Sequence, residues 1–403
     1  MTLADLKPTR EELLARVPGF VAEIADGASR REQERDLPFA AFARVRELRL
    51  GTLRVPVALG GPGGSASDYI GMIADIAVGD PNVAHALRSH FNYVENTVLV
   101  PEAHRHPEAI ARILAGKLFG GAHTEQNTAR PGLVTTRLSR HGDGYRLNGR
   151  KWYATGTAFA DYASFSAVDD AGEPTGVLIP TDRKGITILD DWDGMGQRLT
   201  ASGGVVFEDV EIFPHEVVRR RLDGLVGRHC STLRQLHLAA CAAGALRNVL
   251  GNGIDYVRGQ ARSAQHSMAE TATSDPFVQQ VVGEIATASY AVDAAVEVAA
   301  RRLDDTVAAF AGCDADAIEA ALIASSLATS RTQLLLAQVG PRAAERLFDL
   351  GGGSTTARDL NFDRHWRNIR TVLSHNPLLH KARVVGDYLI NGTTTHLREG
   401  RVF

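Results

Sequence analysis

Residues 147–157 read LNGRKWYATGT and form the most specific stretch of this 403-residue chain. The stretch begins as the second strand of a hairpin, because His141–Gly144 is a turn sequence and residues 134–138 alternate apolar and polar side chains before it. It continues through Tyr153 and Thr155, an aromatic ring followed by a small hydroxyl. Taken alone, the pattern predicts a strand with alternating side chains in a β-rich part of the chain.

The chain divides into three segments whose sequence patterns differ, and the stretch above lies in the central one. The central segment, 119–222, contains short strand patterns separated by tight turns, which predicts an antiparallel barrel or sandwich. Residues 1–118 have helical periodicity, with one helix expected over residues 82–100. Residues 223–403 contain long alanine-rich patterns, interrupted at Pro341, that predict an antiparallel four-helix bundle. The expected fold class is therefore α+β.

Composition excludes several functional classes. The formal net charge of −3 does not favour nucleic acid or an anionic membrane surface as a partner. The longest apolar run, around residues 236–246, is too short to span a bilayer, and the N-terminus lacks a signal-peptide layout. Cys230, Cys241 and Cys313 are odd in number and widely spaced, so they predict neither disulfides nor a metal site, and they indicate a reducing cytoplasm.

Three further stretches carry chemically active residue types. Residues 120–125 read GGAHTE, residues 190–203 read DDWDGMGQRLTASG, and residues 364–377 read RHWRNIRTVLSHNP. Histidines at positions 85 and 375 are candidates for proton transfer, because the pKa of histidine lies near working pH. No Walker or Rossmann fingerprint is present, and the glycines at 60–64 form neither.

The order of helices, β segment and helical bundle, together with these motifs, resembles the acyl-CoA dehydrogenase superfamily over nearly the whole chain. Residues 190–203 resemble one subgroup, the reduced-flavin-dependent monooxygenases similar to dibenzothiophene monooxygenase. In the dehydrogenases a glutamate that removes a substrate proton lies in the last stretch, where this chain reads Ser-His-Asn-Pro at 374–377. In some dehydrogenases that glutamate lies instead on the first bundle helix. The corresponding residues here, 233–238, are LRQLHL and include no carboxylate either.

The resemblance implies a flavin site built from residues of all three segments. Tyr153 would stack on the flavin ring, and the hydroxyl of Thr155 would donate to its N5 atom. Thr124 would bind the carbonyls of the pyrimidine ring. His85 and His375 would act as catalytic residues near the point where oxygen reacts.

The resemblance also implies where the substrate and the cofactor phosphate bind. His90 and Trp192 would line the substrate pocket. Arg262, contributed across a subunit interface, would bind phosphate together with the glycine-rich turn at Gly352 and Gly353, whose backbone amides can approach an anion closely.

The implied activity is that of a two-component flavin monooxygenase. A separate NAD(P)H:flavin reductase would supply reduced FMN, with FAD the less favoured cofactor, and O2 would form a C4a-hydroperoxide that oxygenates a small organic substrate. A sulfur compound is slightly favoured over an amine, an amino sugar or an aromatic ring, and a homotetramer is implied. Two alternatives stay open: an acyl-CoA dehydrogenase with FAD whose base is Glu125 or Asp255, and a non-catalytic relative of the same fold.

Overall fold

The computed structural model describes residues 7–106, 108–130, 132–218 and 224–398. Its N-terminal part is helical, and capping residues determine where helices start: Ser65 and Asp68 form a reciprocal capping box before the long fifth helix. The described N-terminal helices are α1 (Arg10–Leu14), α2 (Val17–Ala25), α3 (Ala28–Glu34), α4 (Phe39–Glu47), α5 (Ala66–Gly79), α6 (Pro81–Ala86), α7 (Arg88–Leu99) and α8 (Ala109–Leu114).

The expected single helix over residues 82–100 is two helices, α6 and α7. Pro81 occupies the first helical position of α6, and the Asp80 side chain caps it by accepting from the backbone N–H of Asn82 at 2.9 Å. Leu87 separates the two helices. His85 and His90 therefore belong to different elements, and their spacing along the sequence does not fix their relative direction.

The central part is one seven-stranded sheet in the order β1-β4-β2-β3-β7-β6, with β5 paired to β4. Most neighbouring strands are antiparallel, as expected, but β1 runs parallel to β4, and β2 joins β4 through one parallel pair. The apolar side chains on the inner face of this sheet pack together in a hydrophobic core of their own. The strands are β1 (Phe119–Ala122), β2 (Arg137–His141), β3 (Gly144–Lys151), β4 (Tyr162–Val168), β5 (Pro174–Pro180), β6 (Ile186–Ile188) and β7 (Val205–Ile212).

The C-terminal part is a bundle of long helices with shorter ones packed on it. Helix α11 continues through Pro341, where the sequence predicted a boundary. The missing backbone N–H is tolerated because Ala343 and Ala344, in the following turn, are buried in the core. The described helices are α9 (Leu225–Gly259), α10 (Pro276–Gly312), α11 (Ala315–Arg346), α12 (Asp363–Leu373), α13 (Leu378–Asn391) and α14 (Thr395–Arg398).

One hydrophobic core joins the N-terminal helices to the bundle, and α5 packs along α9 at its centre. Helix α12 packs against α9 and α11, and α6 rests on α9. These contacts bring α6, the loop between β6 and β7, the start of α9 and the α12–α13 junction to one place. In the part of the chain that the structure describes, no helix combines the length and hydropathy needed to cross a membrane.

Candidate active site

A chain of hydroxyl groups begins at Thr155, shortly after β3. Thr155 Oγ1 lies 2.7 Å from Ser202 Oγ, which lies 2.7 Å from Thr200 Oγ1. Thr200 donates its own proton to the carbonyl oxygen of Gln197 at 2.8 Å. Because each hydroxyl has only one proton to donate, Thr200 must accept a hydrogen bond from Ser202, and Ser202 must accept one from Thr155. This order turns the lone pairs of Thr155, rather than its proton, toward any ligand, which reverses the donor role expected from the sequence.

Gln197 connects this chain of hydroxyls to a buried histidine. Its side-chain oxygen Oε1 accepts a hydrogen bond from His85 Nδ1 at 3.1 Å. Burial, and then the nearby charge of Arg88, lower the pKa of His85 to about 4, so the ring is neutral at pH 7. Nε2 of His85 is buried without a hydrogen-bond partner among the described residues. It is therefore a proton acceptor available to a bound molecule.

The backbone around these side chains is strained. Tyr153, Gln197 and Ala201 have φ angles of 57°, 53° and 48°, in the left-handed region that non-glycine residues rarely adopt. Gln197 is held there because its N–H donates to Asn368 Oδ1 at 2.6 Å and its carbonyl accepts from Trp192 Nε1 at 2.9 Å. Such strain persists only where surrounding contacts enforce it, and it clusters at functional sites.

An exposed aromatic surface adjoins Thr155. The Tyr153 side chain is 53% exposed, and its ring meets that of Trp192 edge to face at 6.0 Å. Thr124 is exposed on the neighbouring segment, which is tied to this one by a hydrogen bond from the Trp152 N–H to the Thr124 carbonyl at 2.8 Å. The structure therefore places Thr124, Tyr153 and Trp192 on neighbouring segments beside Thr155.

His375 lies in a cleft between α9, α11 and the α12–α13 junction. Its Nδ1 donates to Asn376 Oδ1 at 2.8 Å, which leaves Nε2 as an acceptor. Part of the side chain reaches solvent, yet the surrounding protein, with Arg88 and His85 nearby, holds the pKa well below its usual value. The lining residues include Gln235, Gln333, His375 and Asn376 but no carboxylate.

Two other histidines are structural. His90 was expected in the substrate pocket, but its Nε2 donates to the Gly51 carbonyl at 2.9 Å and its Nδ1 accepts from the Phe119 N–H at 3.3 Å. Nε2 ties α7 to the segment at Gly51 and Nδ1 ties it to β1, so neither nitrogen of His90 is left for a ligand. His237, on α9, donates to the Ala84 carbonyl at 2.9 Å and accepts from the Tyr69 hydroxyl.

The residues expected to bind phosphate lie at the other end of α9. Arg262 is exposed on the loop after this helix, and Gly351 packs against Tyr256 near the same end. Gly352 has a φ of +54°, and a side chain added at Gly352 or Gly353 would meet open space. At 1.5 Å per residue, Gly259 lies about 33 Å along α9 from His237. In one chain these residues and the histidines are too far apart to hold one FMN.

Both alternative bases are unsuited to proton abstraction here. Although burial alone raises its pKa, Glu125 accepts hydrogen bonds from Lys151 at 2.6 Å and from Thr135 and Thr136, which lower the pKa to about 2. Asp255 is exposed on α9, about 27 Å along the helix from His237. Neither carboxylate lines the His375 cleft.

Sequence reasoning missed Gln197, Ser202, Asn368, Gln235 and Lys381. The first three lie inside the stretches 190–203 and 364–377 that were singled out, but their partners come from other segments. A hydroxyl in a quoted motif therefore signalled Ser202 weakly, whereas Gln235 was noted only as part of a stretch without a carboxylate, and nothing local marked Lys381.

Comparisons with known proteins agree with this architecture. Two family models match, the acyl-CoA dehydrogenase middle domain over residues 121–210 and the acyl-CoA dehydrogenase C-terminal domain over residues 236–378. The chain belongs to the acyl-CoA dehydrogenase superfamily. Within it, relatives that match most of its length are named as monooxygenases.

Three of these relatives illustrate the match. SfnC of Pseudomonas putida, named a "probable FMNH2-dependent monooxygenase", is 29% identical over 92% of this chain and 93% of its own. Dibenzothiophene monooxygenase of Rhodococcus erythropolis is 28% identical over 88% of each chain. The structure of TdsC from Paenibacillus sp. A11-2 with FMN and indole has a TM-score of 0.82 and 25% identity, covering 94% of this chain and 98% of that one.

The residues on this chain fit a reduced flavin. The N5 atom of the reduced ring carries a hydrogen, and Thr155 presents lone pairs that can accept from it. Tyr153 offers an exposed aromatic face, and the buried Nε2 of His85 lacks a partner among the described residues. FMN would supply the electrons that activate O2.

Proposed function

We propose that this chain is an FMNH2-dependent monooxygenase supplied with reduced FMN by a separate NAD(P)H-dependent reductase. One atom of O2 passes to a small organic substrate, and the other leaves as water with the two electrons and two protons of the reduced flavin. The observation that carries the proposal is the His375 cleft, which contains imidazole and amide groups but no carboxylate among its lining residues. A dehydrogenase needs a carboxylate base there, and an oxygenase does not.

The side chains have distinct tasks in this proposal. Thr155 accepts from the ring edge and fixes the flavin relative to the two histidines. His85 and His375 are both neutral with Nδ1 donating to an amide oxygen, so each Nε2 can take up and return one proton. The buried position of His85 on α6 keeps its imidazole away from bulk water, which would limit the loss of activated oxygen as peroxide.

The dehydrogenase alternative has no support from a specific contact. Glu125 is fixed in a carboxylate–ammonium pair with Lys151, whose side chain is fully buried, and Asp255 lies far from the cleft. A non-catalytic relative would not need the strained backbone at Tyr153, Gln197 and Ala201. These observations favour the oxygenase.

Sulfur compounds are the substrates that the relatives' names favour, since dibenzothiophene contains a sulfur heterocycle. The distance of about 33 Å along α9 between Gly259 and His237 supports a homo-oligomer, proposed as a homotetramer, in which Arg262 and the Gly352–Gly353 turn bind the phosphate of a flavin held by a neighbouring copy.

Anaerobic stopped-flow mixing tests the function. The protein is loaded with reduced FMN and mixed with O2, and the return of oxidised-flavin absorbance is followed. We expect flavin oxidation at least tenfold slower than for free reduced FMN, with peroxide released only later. Oxidation at the rate of free flavin, or flavin bleaching by an acyl-CoA thioester, would contradict the proposal.

A further inference from the structure

A buried carboxylate on α3, in the N-terminal segment, connects the two parts of the chain that hold Gln197. Glu32 is only 2% exposed. Its Oε1 accepts from Arg367 Nη1 on α12 at 2.5 Å and from Arg198 Nη1 in the loop between β6 and β7 at 3.4 Å. Its Oε2 accepts from Asn361 Nδ2, just before α12, at 2.8 Å. One carboxylate therefore joins α3, the β6–β7 loop and α12, which are far apart in the sequence.

The two arginines are direct neighbours of the residues that fix the strained backbone of the site. Arg198 follows Gln197 in the β6–β7 loop. Arg367 precedes Asn368, whose Oδ1 accepts from the Gln197 N–H at 2.6 Å. Arg198 also donates to the backbone carbonyl of Glu32 at 2.8 Å. Glu32 thus anchors the chain on both sides of the hydrogen bond that holds Gln197 in its left-handed conformation.

The β6–β7 loop and α12 also meet through their backbones. A Cβ atom added at Gly196 would lie 2.2 Å from the carbonyl oxygen of Arg367, so the two backbones are too close for a side chain between them. Arg367 Nη1 donates in addition to the Met195 carbonyl at 3.1 Å. The position of Arg367 therefore determines where residues 195–197 of the loop lie.

The other end of the loop is held from the same helix, but more weakly. Arg35, which follows α3, donates to the Asp190 carboxylate at 2.5 and 2.9 Å and to the Trp192 carbonyl at 3.2 Å. The Asp190 side chain is 56% exposed, so solvent screens this ion pair. Glu32 is buried, and its contacts are the stronger restraint of the two.

The Glu32 carboxylate is ionised at neutral pH. Burial alone raises the pKa of Glu32, but the hydrogen bonds from Arg367 and Asn361 and the charges of the two arginines bring that pKa below its usual value. Hydrogen bonds between ionised partners are roughly twice as strong as neutral ones. A glutamine at position 32 would keep the size of the side chain but lose the charge that holds both arginines.

The tautomer of His85 depends on where Gln197 lies. A neutral imidazole carries one N–H, and the acceptors around the ring decide which nitrogen has it. Gln197 Oε1 lies 3.1 Å from Nδ1 of His85 and selects the form with the proton on Nδ1. A strained residue relaxes when the contacts that enforce its conformation are removed. If Gln197 left the left-handed region, this acceptor would move, and the proton would distribute between the two nitrogens.

We propose that Glu32 is a positioning residue for the site, which holds Gln197 in place so that Nδ1 of His85 keeps the proton and Nε2 stays the acceptor. The inference rests on the proposed function, because it explains how the acceptor form of His85 is maintained there. Glu32 acts only through Arg198 and Arg367, from a helix to which none of the site residues named above belongs.

The His85 tautomer in the flavin-free protein tests this inference. With ¹⁵N-labelled histidine rings, NMR distinguishes a ring nitrogen that carries hydrogen from one that has a lone pair, and His85→Asn assigns the signals. In Glu32→Gln the ratio of the Nδ1–H form to the Nε2–H form should fall about fivefold, the effect of losing one hydrogen bond. Arg198→Gln removes the loop end of the same contact, so it should shift the ratio in the same direction.

Two further variants set the scale and the control. Gln197→Leu removes the acceptor itself and shows the full range of the effect. Glu216→Gln is the matched control, because Glu216 is also buried and pairs with one arginine, Arg183, at 2.5 and 2.6 Å, but lies between β7 and α9. It should leave the His85 ratio unchanged although it also removes a buried charge.

An unchanged ratio in Glu32→Gln and Arg198→Gln, or an equal change in Glu216→Gln, would contradict the inference. If Glu32→Gln does not fold, Arg198→Gln decides in the same way. Because no flavin is present, the spectra are independent of the proposed function. A chain that fails to oxygenate would still show the shift, and an oxygenase without the shift would overturn only the role of Glu32.

Discussion

Ser202→Ala removes the centre of the hydroxyl chain and tests whether that chain selects reduced flavin. In the native protein Thr155 donates to Ser202, so its lone pairs face N5, where the reduced ring has a hydrogen and the oxidised ring has a lone pair. Without Ser202 the Thr155 proton is free to turn and donate to the oxidised ring. A hydrogen bond replaced by an opposed lone pair is a difference of about 1.4 kcal/mol, which amounts to about tenfold in the ratio of the two dissociation constants.

The assay compares the Kd for FMN in air with the Kd for reduced FMN under anaerobic conditions. The ratio Kd(FMN)/Kd(reduced FMN) should fall about tenfold in Ser202→Ala, which corresponds to a bound-flavin potential about 30 mV more negative. The two lost hydrogen bonds of 2.7 Å should also lower the stability by about 2 kcal/mol. Thr187→Ala, which removes an exposed hydroxyl on β6, is the control. A ratio equal in the two variants would refute the assigned direction of the chain.

Three further predictions concern proton handling and stability. His375→Ala should raise the peroxide released per reduced FMN oxidised by about tenfold or more, measured with catalase-coupled oxygen electrodes, and unchanged coupling would remove His375 from the mechanism. Glu125→Gln should lower stability by about 3 kcal/mol, seen by urea unfolding, because it removes the carboxylate that pairs with the buried Lys151 ammonium, yet the flavin should still react with O2. Because the folded pKa of His85 and His90 is about 4 and the unfolded value near 6.5, the unfolded state binds more protons between these values. Stability should therefore fall as pH drops from 6.5 to 4, by about 2 kcal/mol per histidine at pH 5, and a His85→Asn variant should show a shallower decline.

The sequence predicted the order of helices, sheet and bundle, and the fold class is confirmed. Periodicity succeeded where an element buries one face, as in β2 and β3, which form the hairpin expected around the turn at residues 141–144. It failed where non-local contacts override local preference. Helix α11 passes through Pro341 because buried alanines hold the following turn, and β1 is parallel to β4 because strand pairing is not encoded in either strand alone.

The candidate site likewise has features that the sequence indicates and features that only the folded structure reveals. Motifs identified the residues whose chemical type is distinctive, such as Tyr153, Thr155 and His375. They did not show that Thr155 presents lone pairs, because that depends on Ser202 and Thr200, 45 and more residues away in the sequence. Contacts between distant segments decide the direction of a hydrogen bond, and no spacing rule reports them.

The low pKa values of His85 and His375 meet one electrostatic requirement. An oxygenase needs a proton acceptor that is unprotonated when oxygen arrives. The imidazole of His85, which is buried, and that of His375, part of which reaches solvent, meet this need because the surrounding protein and then the positive charge of Arg88 disfavour imidazolium. A protonated imidazole has no lone pair with which to take up a proton, so positive charge beside the two rings keeps them in the acceptor form.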